Sequence, residues 1–92
     1  MFLRVEEVVH LADYTLRLKF SNGITKDVNL EPELFGEVFL PLRDPVRFRQ
    51  VYVNPETNTI EWPNGADFAP EFLFEVGEVV ETADFPAELE AV

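Results

Sequence analysis

Ile60-Glu61-Trp62-Pro63-Asn64-Gly65-Ala66-Asp67-Phe68-Ala69-Pro70-Glu71-Phe72-Leu73-Phe74 joins a strand, a sharp turn and a helix start around the only tryptophan of the chain. Pro63-Asn64-Gly65 ends the strand, since Pro lacks a ladder N–H and Asn-Gly accepts turn geometry. Pro70 then opens a helix of about two turns that runs through Phe72, Leu73 and Phe74 before Gly77. Three consecutive large apolar residues point in three directions on a helix, each about 100° from the last, so one sheet does not bury them all and some of this surface needs another cover.

Working upstream, Val51 and Val53 pair with Trp62 and Ile60 in a hairpin around Pro55-Glu56-Thr57-Asn58, which sets Tyr52 and Glu61 together on the opposite face. Residues 30–50 carry Pro32, Gly36, Pro41 and Pro45, so only short helical turns fit. These are predicted near Glu33–Phe35 and over Asp44–Phe48, with Asp44 as cap and Pro45 at the first position. Phe35, Phe39, Leu40, Leu42, Val46 and Phe48 are too many apolar side chains to leave in water, and the simplest expectation is a lid over one sheet face.

The N-terminal part reads as three strands, the last two joined in a hairpin. Tyr14, Leu16, Leu18 and Phe20 alternate with Thr15, Arg17 and Lys19, the period of a half-buried strand. The preceding strand, from Leu3 to His10, changes face near Glu6-Glu7, as at a bulge. A two-residue Asn22-Gly23 turn would oppose Leu18 to Asp27, whereas a three-residue loop opposes Phe20 to Ile24 and Leu16 to Val28. Parity therefore selects the longer loop with Gly23 left-handed, sets Arg17 across from Asp27, and leaves Lys26 on the apolar side, expected to snorkel at the rim.

The 92 residues, 47% hydrophobic, suffice for one core. The fold class expected is α+β, a small antiparallel sheet of hairpins with about five strands and short helices. Residues 1–75 form the expected domain. Residues 76–92 carry five acids and no base and form an expected acidic tail, either docked on the helix or ordered by a partner. With no cysteine, disulfides, thiolate catalysis and cysteine-ligated metals are excluded. Neither an export signal nor a membrane-spanning run is visible, and the expectation is a soluble, cytoplasmic protein without membrane contact. The net charge of −11 opposes direct nucleic-acid binding and suits a basic protein partner.

The combination of Tyr14-x-Leu16-x-Leu18-x-Phe20 with Gly23, Asp27-Val28-Asn29-Leu30, Gly36, Phe39, Leu42, Phe48 and Trp62-Pro63-Asn64-Gly65-Ala66-Asp67 resembles the domain-of-unknown-function family numbered 2442, over about residues 4–75. The resemblance implies a small bacterial α+β domain with antiparallel hairpins. It brings no established activity and no catalytic residues. Some similar proteins are encoded beside another small protein in arrangements like toxin–antitoxin pairs, and some are joined to helix-turn-helix segments. Similar chains often have Ser where Ala69 stands, which removes a side-chain cap here.

No residue pattern spells a catalytic site. His10, the only histidine, has Asp13 nearby but no triad can be built from it, and it reads as structural or solvent-exposed. Glu61, Asp67 and Glu71 are the candidates for a carboxylate-based metal-dependent enzyme, yet their spacing lacks the repeated ligands and Gly of a calcium loop. Asp67 is expected instead to accept from backbone amides of the turn or helix start, and Glu71 to favour the helix N-terminus. No phosphate-binding loop is present, and no cofactor or metal is expected.

The main expectation is a non-catalytic interaction module, antitoxin-like in its concrete form, that binds a small basic protein. The candidate contacts are Trp62, Asp67, Phe68, Phe72 and Phe74, a rigid aromatic group beside an acidic rim, with Trp62 reading first as a core anchor. In that mechanism the tail orders on the partner while Phe72 or Phe74 adds apolar area. The alternative is a self-associating module that closes a homodimer.

Overall fold

The computed structural model describes residues 2–81. Three strands, β1 (Val5–Ala12), β2 (Thr15–Phe20) and β3 (Thr25–Asn29), form an antiparallel meander. A one-turn helix α1 (Pro45–Phe48) precedes the hairpin of β4 (Tyr52–Asn54) and β5 (Thr59–Glu61). Helix α2 (Pro70–Val76) then leads to a two-residue strand β6 (Glu78–Val79) on the free side of β3. The strands divide into a four-stranded sheet of order β1-β2-β3-β6 and a separate two-stranded sheet, where the sequence pointed to one sheet of about five.

Parity governs the meander. Leu16 lies opposite Val28, Arg17 opposite Asp27 and Leu18 opposite Lys26, and the Phe20 N–H donates to Ile24 across the three-residue loop. Gly23, at φ +88°, occupies the left-handed position that this loop requires. Leu16, Leu18, Phe20 and Val28 are wholly buried on one face. On the other face, Arg17 grips the Asp27 carboxylate with two donors at 2.7 and 3.0 Å. In β1 the register slips between Val5 and Glu7, the bulge expected where the apolar pattern changes face.

The segment after β3 departs from the lid. Single-turn 3-10 helices occupy Glu31–Glu33 and Leu40–Arg43, the first lying earlier than the turn predicted near Glu33–Phe35 and the second unanticipated. Helix α1 starts as expected, with Asp44 accepting from the Val46 N–H and Pro45 at the first position. Leu34, Leu42 and Phe48 enter the core and Phe39 is half-buried, but Phe35, Leu40 and Val46 face solvent. The reason is angular. Residues two apart on one helical turn lie about 200–240° apart, so Val46 points outward when Phe48 points inward, and Leu40 and Leu42 divide similarly.

Helix α2 resolves its three directions within the chain. Leu73 is buried under the sheet, Phe72 stacks on Phe68 at 5.6 Å, and the Phe74 ring meets Phe20 edge-on at 5.1 Å. The separate cover expected for this helix is therefore supplied by the domain itself. Lys26 does not snorkel at the rim. It is 8% exposed, donates its ammonium to the Phe74 carbonyl at the helix end, and lies 3.6 Å from the Phe74 ring centroid. A helix C-terminus and an aromatic face both attract a cation, which makes this interior route favourable. Strand β6 falls within the segment expected as tail, with the Val80 N–H donating to Thr25. Val76 closes α2 with Gly77 as its cap, and residues 82–92 of that expected tail lie outside the described residues.

Candidate functional site

The turn around Trp62 is built by its own polar groups. The Trp62 N–H donates to Ala66, Gly65 donates back to Trp62, and Gly65 sits at φ +91°. Asn64 Oδ1 accepts from the Ala66 N–H at 3.1 Å, the role that the sequence assigned to Asp67. Asn64 wins because it lies two residues before that amide, the spacing of an Asx turn, whereas Asp67 has already rejoined the strand in a bridge with Glu61. The Asp67 side chain is exposed.

Of the five candidate contact residues, Trp62 is 1% exposed and donates its indole N–H to the Phe48 carbonyl at 2.8 Å. It is a core anchor and supports the surface without belonging to it. Phe68, Phe72 and Phe74 are partly buried against the core. Phe68 lies between Phe39, Trp62 and Phe72, with ring centroids 4.7, 6.0 and 5.6 Å away. The structure thus brings Trp62, Phe68 and Phe72 into one aromatic cluster, with Phe74 on the other side of α2 against Phe20. Glu71 stands in the first turn of α2, as expected, and Ala69 supplies no side-chain cap.

The carboxylates assemble no metal centre, and no group of three or more metal-ligating side chains converges among the described residues. Glu61 accepts instead from Thr57 at 2.7 Å, Asn54 at 3.1 Å and Tyr52 at 3.4 Å. Bonds from Thr57 and Asn54, with a smaller one from Tyr52, stabilise the carboxylate form and hold its pKa below the ordinary glutamate value. Glu61 is therefore a structural acceptor that closes the β4–β5 hairpin. His10 Nε2 bonds the Asp13 carbonyl at 2.8 Å and its ring edges Phe48, which matches the structural reading. Among the described residues no cavity suited to a small ligand is found, and no described helix is long and apolar enough to cross a membrane.

The surface that the sequence reading missed is the outward half of the expected lid. Phe35, Val38, Leu40 and Val46 are 65%, 46%, 55% and 58% exposed within twelve residues of chain. Gly36, at φ +88°, reverses the backbone just after Phe35 and turns it away from buried Leu34. The loop is fastened on both sides. Asn64 Nδ2 donates to the Val38 carbonyl at 2.9 Å, Phe39 stacks on Phe68, and Arg43 Nε donates to the Leu34 carbonyl at 2.8 Å. The Trp62-to-Phe68 turn thus acts as a buttress for an apolar surface that lies beside it. The available signal was Pro32, Gly36, Pro41 and Pro45 within residues 30–50, which permit only single turns and hence force neighbouring apolar residues to opposite sides.

The chain matches the family described as "Protein of unknown function (DUF2442)" over residues 5–77. It belongs to this family. No curated protein and no solved structure matches it significantly. The family match spans the meander, the loop, the Trp62 turn and α2, so every part of the buttressed surface lies inside the shared domain.

Proposed function

We propose that this DUF2442 member is a non-catalytic protein-interaction module whose contact surface is the buttressed loop carrying Phe35, Val38, Leu40 and Val46. The observation that carries this reading is the exposure of four large apolar side chains on a segment tied down by Asn64, Phe68 and Arg43. Grouped exposed apolar residues mark contact sites, and a fastened loop loses less freedom on binding. Trp62 and Phe68 serve from behind, while Asp67 lies exposed beside the Trp62 turn.

A heteromeric version, antitoxin-like and holding a small basic protein, is favoured by one feature of this segment. Glu31, Glu33 and Glu37 supply acids and no base next to Phe35, within a chain of net charge −11. Such a field would steer a basic partner. The test is purification of the tagged full-length protein from its native cell, beside Phe35→Asp and Leu40→Asp. Partners retained by the wild type and lost with both variants support the reading. Retention by variants that keep their far-ultraviolet dichroism would remove this loop from the interface. Substitution is cleaner than cutting after residue 75, which would also remove β6.

A further inference from the structure

We infer that Asn22 and Asn64 are a matched pair of self-modification sites, in which the fold leaves Asn22 open to spontaneous deamidation and locks Asn64, so that Asn64 converts only when the loop of residues 35–46 lets go. Each of the two is followed by Gly, which puts no side chain in the way of the reacting backbone nitrogen. In this reaction the Gly nitrogen gives up its proton and attacks the Asn Cγ. The new N–Cγ bond closes a succinimide ring, the Cγ–Nδ2 bond breaks, and Nδ2 leaves as ammonia. Water then opens the ring on either side and yields aspartate or isoaspartate, the latter with a main chain one carbon longer. Water enters and ammonia leaves, and nothing is oxidised or reduced.

Locally the two sites agree. Both Asn residues are exposed, and Gly23 and Gly65 sit at φ +88° and +91°. The Gly23 N–H donates to the Phe20 carbonyl and the Gly65 N–H to the Trp62 carbonyl, each at 2.9 Å. Each Asn Oδ1 accepts from the amide two residues on, Ile24 at 3.0 Å and Ala66 at 3.1 Å. They differ at Nδ2, the nitrogen that must leave. That of Asn22 has no partner among the described residues, whereas that of Asn64 donates to the Val38 carbonyl, 26 residues away in sequence, at 2.9 Å. To bring Cγ onto the Gly nitrogen the side chain must swing and give up its bonds. For Asn22 this is a fluctuation of one exposed hairpin loop. For Asn64 it also unfastens the loop that Phe39 and Arg43 hold down, and disturbs a turn flanked by Trp62 and Ala66, both buried. Openings that break core contacts cost more than those of exposed loops. Conversion of Asn64 then sets a carboxylate against the Val38 carbonyl, acceptor against acceptor, and the tie cannot reform. The Asn22 side chain only accepts, and a carboxylate keeps that bond. The device is independent of what the loop contacts.

Peptide mass mapping of the full chain, incubated at mildly alkaline pH in buffer and in concentrated urea, tests this through the mass gained at each Asn-Gly peptide. In buffer Asn22 is expected to convert faster than Asn64 by about tenfold or more, the margin set by the additional opening that Asn64 requires. In urea the two rates are expected to converge. Phe39→Ala and Arg43→Ala each loosen the loop without altering either Asn, and each is expected to speed Asn64 severalfold while leaving Asn22 unchanged. If one of these variants fails to fold, the other carries the comparison. Asn64→Asp is expected to melt at a lower temperature than Asn22→Asp. An Asn22 that does not convert in buffer overturns the inference, as do equal rates in buffer. A difference that persists in urea also overturns it, because neighbouring sequence and not the fold would then set the order. So does an Asn64 rate that a folded loop variant leaves unchanged, or an Asn64→Asp protein as stable as wild type.

Discussion

Glu61 and Lys26 show how far single residues were legible. Strand parity placed both correctly, Glu61 beside Tyr52 and Lys26 on the apolar face, because parity is local. What each charge does depends on distant chain. The Lys26 ammonium is received by a carbonyl 48 residues away, and Trp62 anchors to a carbonyl 14 residues back. For Glu61 the partners are near, and a pH prediction follows from their donors. Its pKa is lowered by folding, so the stabilisation is present above the unfolded glutamate value of about 4.3 and is lost as pH falls through the folded value. Glu61→Gln is expected to lower the melting temperature at pH 7 relative to wild type, with the gap closing on acidification below pH ~4. Paired thermal melts from pH 7 to pH 3 check this. A gap that is constant or widens toward acid would show that Glu61 contributes nothing through its charge.

Elements with a long repeating pattern were read well, and those made of one turn were not. The β2–β3 loop follows from the need to keep Leu16 and Val28 on one face, and α2 follows from Pro70 and Gly77. Strand β6 has two residues, too few for any period to appear, and its place is set by the turn that α2 makes onto β3. Gly77 is the hinge of that placement. A Cβ there would come within 2.9 Å of Val28 Cγ2 and 3.0 Å of both the Leu73 carbonyl oxygen and Lys26 Cβ. Two of these atoms belong to the backbone or to a Cβ and have little room to yield, so helix end and sheet must separate. Gly77→Ala is expected to cost about 1–3 kcal/mol, the usual penalty of overpacking. For a domain of this size, that is roughly 4–8 °C of melting temperature per kcal/mol. Urea unfolding of the pair decides the matter, and an alanine variant as stable as wild type would mean that β6 docks without this close approach.

At the scale of the whole molecule, the composition foretold one apolar core and an acidic exterior, but not which apolar residues would be left outside. Counting hydrophobic side chains treats each as equally able to reach the core; Phe35, Val38, Leu40 and Val46 are excluded by backbone direction rather than by chemistry. The same separation of core and charge yields a prediction about salt. The described residues span 34 × 33 × 23 Å, so at ~0.01 M ionic strength, where the screening length is about 30 Å, nearly every acid feels every other. At ~0.15 M that length falls to about 8 Å and distant repulsions vanish, while contacts as close as Arg17–Asp27 are weakened less. With 18 acids against 7 bases, repulsion outweighs the ion pairs, most of which are exposed and individually weak. Sodium chloride is therefore expected to raise the melting temperature of the protein between these two ionic strengths, by a few degrees for each ~1 kcal/mol of repulsion relieved. Melts at a fixed low protein concentration keep self-association out of the comparison. A melting temperature that falls with salt would mean that ion pairs govern this domain, with the repulsion already compensated within the fold.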